Sequence, residues 1–200
     1  MCSSDLAADR LGGQLNIAVR SPRRRDLQGI IDWRTQEAAR LGVTVRLNAY
    51  VSAEELVGQG FDVVIVATGG IPSQSEVPGA ELVTESWDVL AGSRRVSGRA
   101  LVFDDHGGNQ ALDVAEALVR AGVEVELATP ERSMSPDVGG MVASLYFKSL
   151  TQAGVRFTVL RRLHSIERNA DGTLTVALGI EDDNWTETRV VDAVVFEGGT

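Results

Sequence analysis

The sequence predicts an α/β protein built on an open, mostly parallel β-sheet. Apolar runs alternate with helical patterns along the 200 residues, which is the order that a parallel sheet with crossovers requires. Residues 61–70, FDVVIVATGG, form a continuous apolar run that ends in glycines, as expected for a strand buried on both faces. Residues 99–130 have the pattern strand, glycine loop, helix and strand, which matches one parallel crossover.

The N-terminal elements follow from local patterns. Residues 11–21 contain two adjacent glycines and predict a loop. Apolar residues at helical spacing then predict a helix that Gly42 ends, and these residues are Leu27, Ile30, Ile31, Ala38 and Leu41. Residues 43–51 alternate like a half-buried strand. Ser52, with Glu55 three residues later, forms a capping-box pattern that predicts a short helix.

A connector rich in proline, glycine and serine covers residues 71–81 and predicts a domain boundary. We place that boundary after residue 78, with one domain over 6–78 and the other over 79–200. Beyond the connector, the patterns predict helices over 84–92 and 139–153. They also predict extended segments, over residues 155–168, 173–179 and 189–198.

Composition excludes several classes of function. The net charge of −9 argues against nucleic-acid binding, which needs a basic face. No apolar run is long enough to predict a membrane span, and the first residues do not form a signal peptide. The single cysteine, Cys2, excludes an internal disulfide framework and predicts a reducing, cytoplasmic setting. We expect residues 1–5 not to be native and both ends of the chain to be cut.

The strongest motif for ligand binding is Ala67-Thr68-Gly69. A strand that ends in this way presents backbone N–H groups at the carboxyl edge of a sheet. Glycine there lets a phosphate or a flavin edge approach closely. Taken alone, the motif is also compatible with a simple turn after a strand.

The order of several motifs resembles one family over residues 6–200. LGGQLN at 11–16, a basic residue at Arg24, the strand ending in Asn48, and ATGG at 67–70 followed by Pro72 are similar to the C-terminal region of the multidomain NADH:flavin oxidoreductases. That family includes 2,4-dienoyl-CoA reductases, trimethylamine dehydrogenases and N-methylproline demethylases. The resemblance implies Rossmann-like three-layer nucleotide-binding domains, with a partial FAD-type domain at 6–78 and an NAD(P)-type domain at 79–200.

The resemblance also implies cofactors and their contacts. In the family, an N-terminal barrel carries FMN and a [4Fe–4S] cluster, and neither the barrel nor the cluster cysteines occur in these 200 residues. Gly12, Gly13 and Gln14 would lie against the ADP part of the FAD-site nucleotide, with Arg24 near that ligand. The backbone of Val51 would contact the adenine. Ala67, Thr68 and Gly69 would approach the pyrophosphate or ribityl region. The family's first GxGxxG lies upstream of residue 6, so the FAD site is partial.

Arg23, Arg24 and Arg25 leave two interpretations open. They can form a solvated charge run at the start of a helix, although three cations oppose the helix dipole there. A nearby anionic ligand would relieve that conflict.

The loop at 104–111, DDHGGNQA, departs from the dinucleotide fingerprint. Set against GxGxxG, His106 replaces the first glycine, Gly108 keeps the second and Ala111 serves as the small third residue. Gly107, Gly108 and Asn109 are the residues that would contact a pyrophosphate. Asp104 and Asp105 would repel that group.

The end of the next strand departs from the fingerprint as well. Thr129 or Pro130 stands where a ribose-binding acid is expected, Glu126 lies inside the strand, and Arg132 could suit a 2′-phosphate. NAD(P) binding is therefore doubtful.

Other interpretations of Asp104-Asp105-His106 are weaker. Adjacent strand residues point to opposite faces, so they converge poorly on a metal, and His106 has no visible partner for general-base catalysis. A solvated turn is favoured. Glu197 is a candidate structural turn residue and receives no catalytic role.

These observations predict a nucleotide-binding fragment of a flavin-dependent oxidoreductase, of oxidative N-demethylase or amine dehydrogenase type. Its substrate would be a small molecule bound by the barrel, and an electron-transfer protein is its expected partner. An NAD(P)H-dependent 2,4-dienoyl-CoA or enoate reductase is the alternative. A third interpretation is a non-catalytic ADP-binding scaffold that docks an electron-transfer partner, and the altered loop at 104–111 favours it.

Overall fold

The computed structural model describes residues 3–180 and 185–200. They form two compact units, Met1–Gly70 (unit 1) and Ile71–Thr200 (unit 2). The division falls at the start of the predicted connector, eight residues before the boundary placed after residue 78. The assignment of the two units to FAD-type and NAD(P)-type domains stays a prediction. Met1 and Cys2, from the segment expected not to be native, lie outside the described residues, whereas Ser3–Asp5 forms strand β1.

In its described residues, unit 1 contains a two-stranded parallel sheet and three α-helices. Its elements are β1 Ser3–Asp5, α1 Leu15–Ala18, a 3₁₀ helix at Pro22–Leu27, α2 Gln28–Arg40, β2 Thr44–Arg46 and α3 Ala53–Gly58. Strand β1 pairs with β2. The capping box predicted at Ser52 is confirmed, because the Glu55 N–H donates to the Ser52 hydroxyl and the Ser52 N–H donates to the Glu55 carboxylate.

The predicted strand at 61–70 is wrong in this structure. These residues have no regular secondary structure and are exposed throughout, with Ile65 84 % exposed. An apolar run becomes a strand only when neighbouring strands accept and donate its backbone hydrogen bonds. The sheet of unit 1 consists of β1 and β2 among the described residues, and neither strand pairs with this segment. The strand predicted over 43–51 is likewise reduced to β2, three residues long.

Helix α2 confirms the predicted helical period but buries little of its apolar stripe. Ile31 is the one buried residue of this helix. Ile30 and Leu41, which share the predicted apolar stripe, are 47 % and 63 % exposed. The residue spacing therefore predicts the helix correctly and overestimates how much of its face is covered within unit 1.

Unit 2 is built on a five-stranded parallel sheet with the order β3-β10-β4-β5-β6. Its strands are β3 Thr84–Glu85, β4 Arg99–Asp104, β5 Glu124–Ala128, β6 Arg156–Thr158 and β10 Ala193–Glu197. Its α-helices are α4 Ser86–Ala91, α5 Asn109–Arg120 and α6 Gly140–Gln152, and a 3₁₀ helix lies at Ala80–Leu82. The predicted β-α-β crossover and the predicted helices are confirmed.

A separate antiparallel sheet lies between β6 and β10 in the chain. It consists of β7 Arg162–Arg168, β8 Leu174–Gly179 and β9 Thr186–Val191. The return from β6 to the parallel sheet therefore passes through antiparallel strands. No helix in residues 3–180 and 185–200 is long and apolar enough to cross a membrane.

Strand β4 shows why unit 2 has three layers. Its residues alternate between two faces. Ala100 and Val102 pack with helices α5 and α6 in one core. Leu101 and Phe103 pack with residues of β7, β8 and β10 in the other. Because both faces of β4 are covered, its sequence is apolar at every position from 100 to 103.

The direction in which successive strands are added across the parallel sheet reverses beside β4. The chain runs from β4 to β5 and β6 on one side and returns to β10 on the other. In open α/β sheets, ligands bind at the carboxyl ends of the strands at such a reversal point. The loops after β4 and β10, at residues 104–109 and 197–199, are therefore the candidate ligand-binding loops of unit 2.

Candidate nucleotide-binding site

The glycine loop of unit 1 has a defined conformation. Gly12 and Gly13 have φ values of 112° and 49°, which glycine adopts with little strain. The Asn16 side-chain amide donates to the carbonyls of Leu11 at 2.9 Å and Gly13 at 3.2 Å. A Cβ at Gly12 would lie 2.8 Å from Asn16 Nδ2. Asn16 therefore holds the loop, and the glycine at 12 makes room for it.

The structure brings this loop together with the ATGG segment. Gln14 Nε2 donates to the carbonyl of Gly70 at 3.4 Å. Gly69 has a φ of 71°, and a Cβ there would lie 3.9 Å from Gln14 Nε2. Nothing lies within 4 Å of the corresponding position at Gly13. Gln14 and Gly69 thus border an open edge where an ADP-like ligand could approach the backbone.

The other candidate residues of unit 1 have different surroundings. Arg24 is half-buried in the 3₁₀ helix that precedes α2, and its N–H donates to the Ser21 carbonyl at 3.0 Å. Ala67 and Thr68 lie in the exposed irregular segment. No hydrogen bond in the described part of the chain joins Ala67 or Thr68 to the 12–14 loop.

Val51 lines a shallow depression of about 460 Å³ in unit 1. Its other lining residues include Arg46, Tyr50, Glu54 and Glu55. Arg46 donates to the Asp5 carboxylate at 2.6 and 2.7 Å. This bidentate contact lowers the pKa of Asp5. The depression is thus bordered by a guanidinium that already has an internal partner and by carboxylates.

In unit 2, the burial of Asp104 corrects one prediction. The favoured solvated turn describes Asp105 and His106, which are exposed, but Asp104 is fully buried. One of its carboxyl oxygens accepts from the Gly107 N–H at 2.8 Å and the His106 N–H at 3.2 Å. The other accepts from the Ser135 hydroxyl at 3.3 Å. Burial raises the pKa of Asp104, and these hydrogen bonds oppose the rise.

The three candidate contact residues of the loop lie at the start of α5. Gly107 has a φ of 82°, and a Cβ there would lie 2.9 Å from Pro136 Cδ. Gly108 is the N-cap of α5 and Asn109 is its first residue. A Cβ at Gly108 would lie 2.5 Å from Gln110 Oε1 and 3.0 Å from His106 Cδ2. The space beside both glycines is therefore filled by side chains of the same chain.

Carboxyl groups occupy three adjacent strand ends of unit 2. Glu197 on β10 is opposite Asp104 on β4, and it accepts from the Ser86 hydroxyl and, at 2.9 Å, from the Gly199 N–H. These bonds agree with the structural role expected for Glu197. On β3, Glu85 has a buried Oε2 without a hydrogen-bond partner among the described residues. Burial, then the charges of Glu197 and Asp88, raises the pKa of Glu85.

The end of β5 offers little to a ribose. The Thr129 hydroxyl, in a fully buried residue, accepts from the Glu131 N–H at 3.2 Å. Glu126 pairs with Arg189 at 2.9 Å and accepts from the Thr158 hydroxyl at 2.7 Å. Arg132 is exposed. The side chains of Thr129 and Glu126 therefore both have internal partners.

Two sets of residues escaped the sequence patterns. Asn16 holds the glycine loop of unit 1, and its position four residues after Gly12 is a weak signal for this role. In unit 2, Ser135 and Pro136 cover the 104–108 loop although they follow a different strand. Ser135 has a φ of 46°, which no feature of its side chain predicts.

The chain is similar in sequence to known oxidoreductases. A sequence profile of the pyridine nucleotide-disulphide oxidoreductase family matches residues 23–199. The chain is 39 % identical to a probable N-methylproline demethylase of Rhizobium meliloti over 97 % of its own length and 29 % of that protein. It is 40 % identical to a multifunctional alkene reductase/demethylase of Caballeronia cordobensis over 64 % of its length and 19 % of that protein.

A solved structure shares the fold of the chain. The 6-hydroxypseudooxynicotine amine oxidase of Pseudomonas geniculata matches with a TM-score of 0.83 and 27 % identity, over 98 % of this chain and 30 % of that one. The chain thus spans less than a third of the length of each of these three proteins.

Proposed function

The chain belongs to the pyridine nucleotide-disulphide oxidoreductase family, and from that premise we propose that it is the nucleotide-binding part of a flavin-dependent oxidoreductase of the oxidative N-demethylase or amine dehydrogenase type. The observation that carries the proposal is the 39 % identity to a probable N-methylproline demethylase over 97 % of this chain. The amine oxidase fold match at 27 % identity supports the same reaction class.

Unit 1 is the proposed site of FAD or of an ADP-like ligand. Gly12, Gly13, Gln14 and Gly69 would hold it. The space beside Gly13 and Gly69 is open to close approach, Gln14 contacts Gly70, and Gly12 makes room for the Asn16 side chain that holds the loop. Arg24, Val51, Ala67 and Thr68 complete the proposed contact set. The flavin supplies the redox chemistry, whereas these residues bind and orient the nucleotide.

The remaining components of the enzyme are part of the same proposal. FMN and a [4Fe–4S] cluster would belong to a barrel that binds a small N-methylated or amine substrate. Electrons would leave through an electron-transfer protein. The cytoplasmic setting expected from the single cysteine stays a prediction.

An NAD(P)H-dependent enoate or dienoyl-CoA reductase is the second candidate. The 40 % identity to a protein named for both alkene reduction and demethylation favours it. The two candidates differ in the source of electrons. The reductase takes them from a reduced nicotinamide, and the demethylase takes them from the amine substrate.

Anaerobic titration of the complete flavoenzyme that carries this chain separates the two. We expect an N-methyl amino acid to bleach the flavin absorbance and NADH and NADPH to leave it unchanged. Rapid flavin reduction by either nicotinamide, without bleaching by the amine, would contradict the demethylase proposal and establish the reductase.

The nucleotide site of unit 1 has its own test in the 200-residue chain. Gly69→Val places a side chain beside Gln14, whereas Gly60→Val makes the same change at a glycine with similar φ, 65° against 71°, and nothing within 4 Å. We expect calorimetric titration with ADP to show at least about a tenfold loss of affinity in Gly69→Val, which corresponds to about 1.4 kcal/mol, and no change in Gly60→Val. Equal affinities in the two variants would remove Gly69 from the site.

A further inference from the structure

The crevice at the reversal point of unit 2 is where an open α/β sheet of this kind binds a dinucleotide. Pyrophosphate binding there needs unpaired backbone N–H groups in the loop after the first strand and empty space beside its glycines. In the loop at 104–109, the N–H groups of His106 and Gly107 are paired and the space beside Gly107 and Gly108 is occupied.

Two backbone donors of the loop already have an acceptor. Asp104 is buried at the end of β4, and its carboxyl oxygen receives the N–H groups of His106 and Gly107 at 3.2 and 2.8 Å. A phosphate oxygen would use donors of this kind. Ser135 donates to the second carboxyl oxygen at 3.3 Å, so the group is held from the neighbouring loop as well.

The space beside the glycines is also taken. At Gly108, Gln110 Oε1 and the His106 ring stand 2.5 and 3.0 Å from where a Cβ would be. The same ring has its Nδ1 2.5 Å from the corresponding point at Gly199, after β10. The His106 ring therefore lies between the loops that follow β4 and β10, with the residue exposed to solvent.

The carboxyl groups of the crevice also oppose the binding of a pyrophosphate. Asp104 and Glu197 are buried carboxyl groups on adjacent strands, and the Asp105 N–H donates to the Glu197 carbonyl at 2.9 Å, which joins the two loops. A pyrophosphate brings further negative charge into a region of low dielectric constant, where repulsion is strong.

We propose that Asp104, His106 and Gln110 close the crevice of unit 2 to dinucleotides, with the Asp104 carboxyl group as an internal substitute for the pyrophosphate. These three residues determine specificity by keeping dinucleotides out of the crevice of unit 2. The inference concerns unit 2 alone and goes beyond the proposed function, because it holds whether or not unit 1 binds FAD. Its consequence is that no nicotinamide delivers or receives electrons through this unit.

The test is an NADH titration of the ¹⁵N-labelled 200-residue chain, followed residue by residue through its amide resonances. The double variant His106→Gly/Gln110→Ala restores glycine at the first fingerprint position and empties the space beside Gly108. Asp104→Asn retains an acceptor oxygen and removes the charge. Asp105→Asn is the matched control, because it removes the same charge from an exposed neighbour whose side chain does not accept from the loop N–H groups.

In the wild-type chain and in Asp105→Asn, we expect the amides of residues 106–110 not to shift at millimolar NADH. In the double variant, the same amides should shift and saturate, with at least about a tenfold gain in affinity, or about 1.4 kcal/mol. Asp104→Asn should show a smaller gain. Shifts at unit 1 report on the nucleotide site proposed there and are read separately.

Two results overturn the proposal. One is saturating shifts at 106–110 in the wild-type chain with the affinity of the double variant. The other is a folded double variant and a folded Asp104→Asn that bind NADH no better than wild type. If the double variant does not fold, amide hydrogen exchange in the wild-type chain tests the role of Asp104 instead. Protection of the His106 and Gly107 amides is expected, and exchange at the rate of an unbonded loop overturns the role of Asp104.

Discussion

Replacing Gly107 with alanine should destabilise unit 2 more than the same replacement at Gly122. The two glycines flank helix α5 and have nearly equal φ values, 82° and 84°. They differ in their surroundings, because a Cβ at Gly107 would lie 2.9 and 3.0 Å from the ring of Pro136 and a Cβ at Gly122 would meet nothing within 4 Å. The pair therefore isolates the packing of the 104–108 loop against the segment after β5.

The magnitudes follow from these two differences. An alanine in the left-handed region costs about 1–2 kcal/mol, partly offset by about 0.4–1 kcal/mol from its lower entropy in the unfolded chain. We therefore expect Gly122→Ala to cost about 1 kcal/mol. Overpacking against a rigid ring adds about 1–3 kcal/mol, so Gly107→Ala should cost about 2–4 kcal/mol.

Urea unfolding measures both variants. A Trp33→Phe background leaves Trp87 and Trp185, which both belong to unit 2, so that fluorescence follows that unit alone. If the free energies of unfolding of the two variants agree within about 0.5 kcal/mol, a difference that surface changes produce, Pro136 does not pack on the loop and the reasoning is refuted.

Three further predictions concern charge and capping. Asp104→Asn should gain stability relative to wild type as the pH rises above 3.8. Burial, and then the charge of Glu197, raise the pKa of Asp104 in the folded state, so ionisation of this carboxyl group costs folding free energy. Parallel pH profiles of the unfolding free energy for the two proteins would contradict this. Arg189→Met should cost about 1.5–3 kcal/mol at neutral pH, since it removes charged hydrogen bonds to Glu126 and Glu187. That cost should shrink below pH 4.5, because Arg189 lowers the pKa of Glu187 and the stabilisation from this contact is lost as the Glu187 carboxylate is protonated. A cost independent of pH would count against a stabilising contact between Arg189 and Glu187. Ser52→Ala should lose about 1 kcal/mol of helix stability, seen as faster amide exchange in α3, while Ser52→Asp, which can still cap, should not.

The sequence alone predicted most of unit 2. The helices α5 and α6, the strands on either side of α5 and the later strands follow from periodicities of 3.6 and 2 residues, which act over short distances along the chain. Antiparallel pairing of β7, β8 and β9 was not visible, because register depends on contacts between segments far apart in sequence.

The candidate site of unit 1 was predicted in part. The residue types in LGGQLN and ATGG indicated loops with open backbone, and the structure brings Gln14 beside Gly69 and Gly70. Whether these residues contact a nucleotide stays a prediction. The apolar pattern of 61–70 predicted a buried strand wrongly, because a pattern records the preference of a segment and cannot supply its neighbours.

What the sequence by itself determined is the fold class, the crossover around α5, the capping box at Ser52 and the departure of the 104–111 loop from the dinucleotide fingerprint, since each depends on residues close together in the chain. What only the tertiary structure decided is the state of Asp104. Two aspartates in a row predict a solvated turn, but the first of them is the last residue of β4, a strand that is covered on both faces, and it is buried there. There the backbone of its own loop and Ser135 from 31 residues away satisfy it, and burial of that kind depends on packing that no local pattern contains.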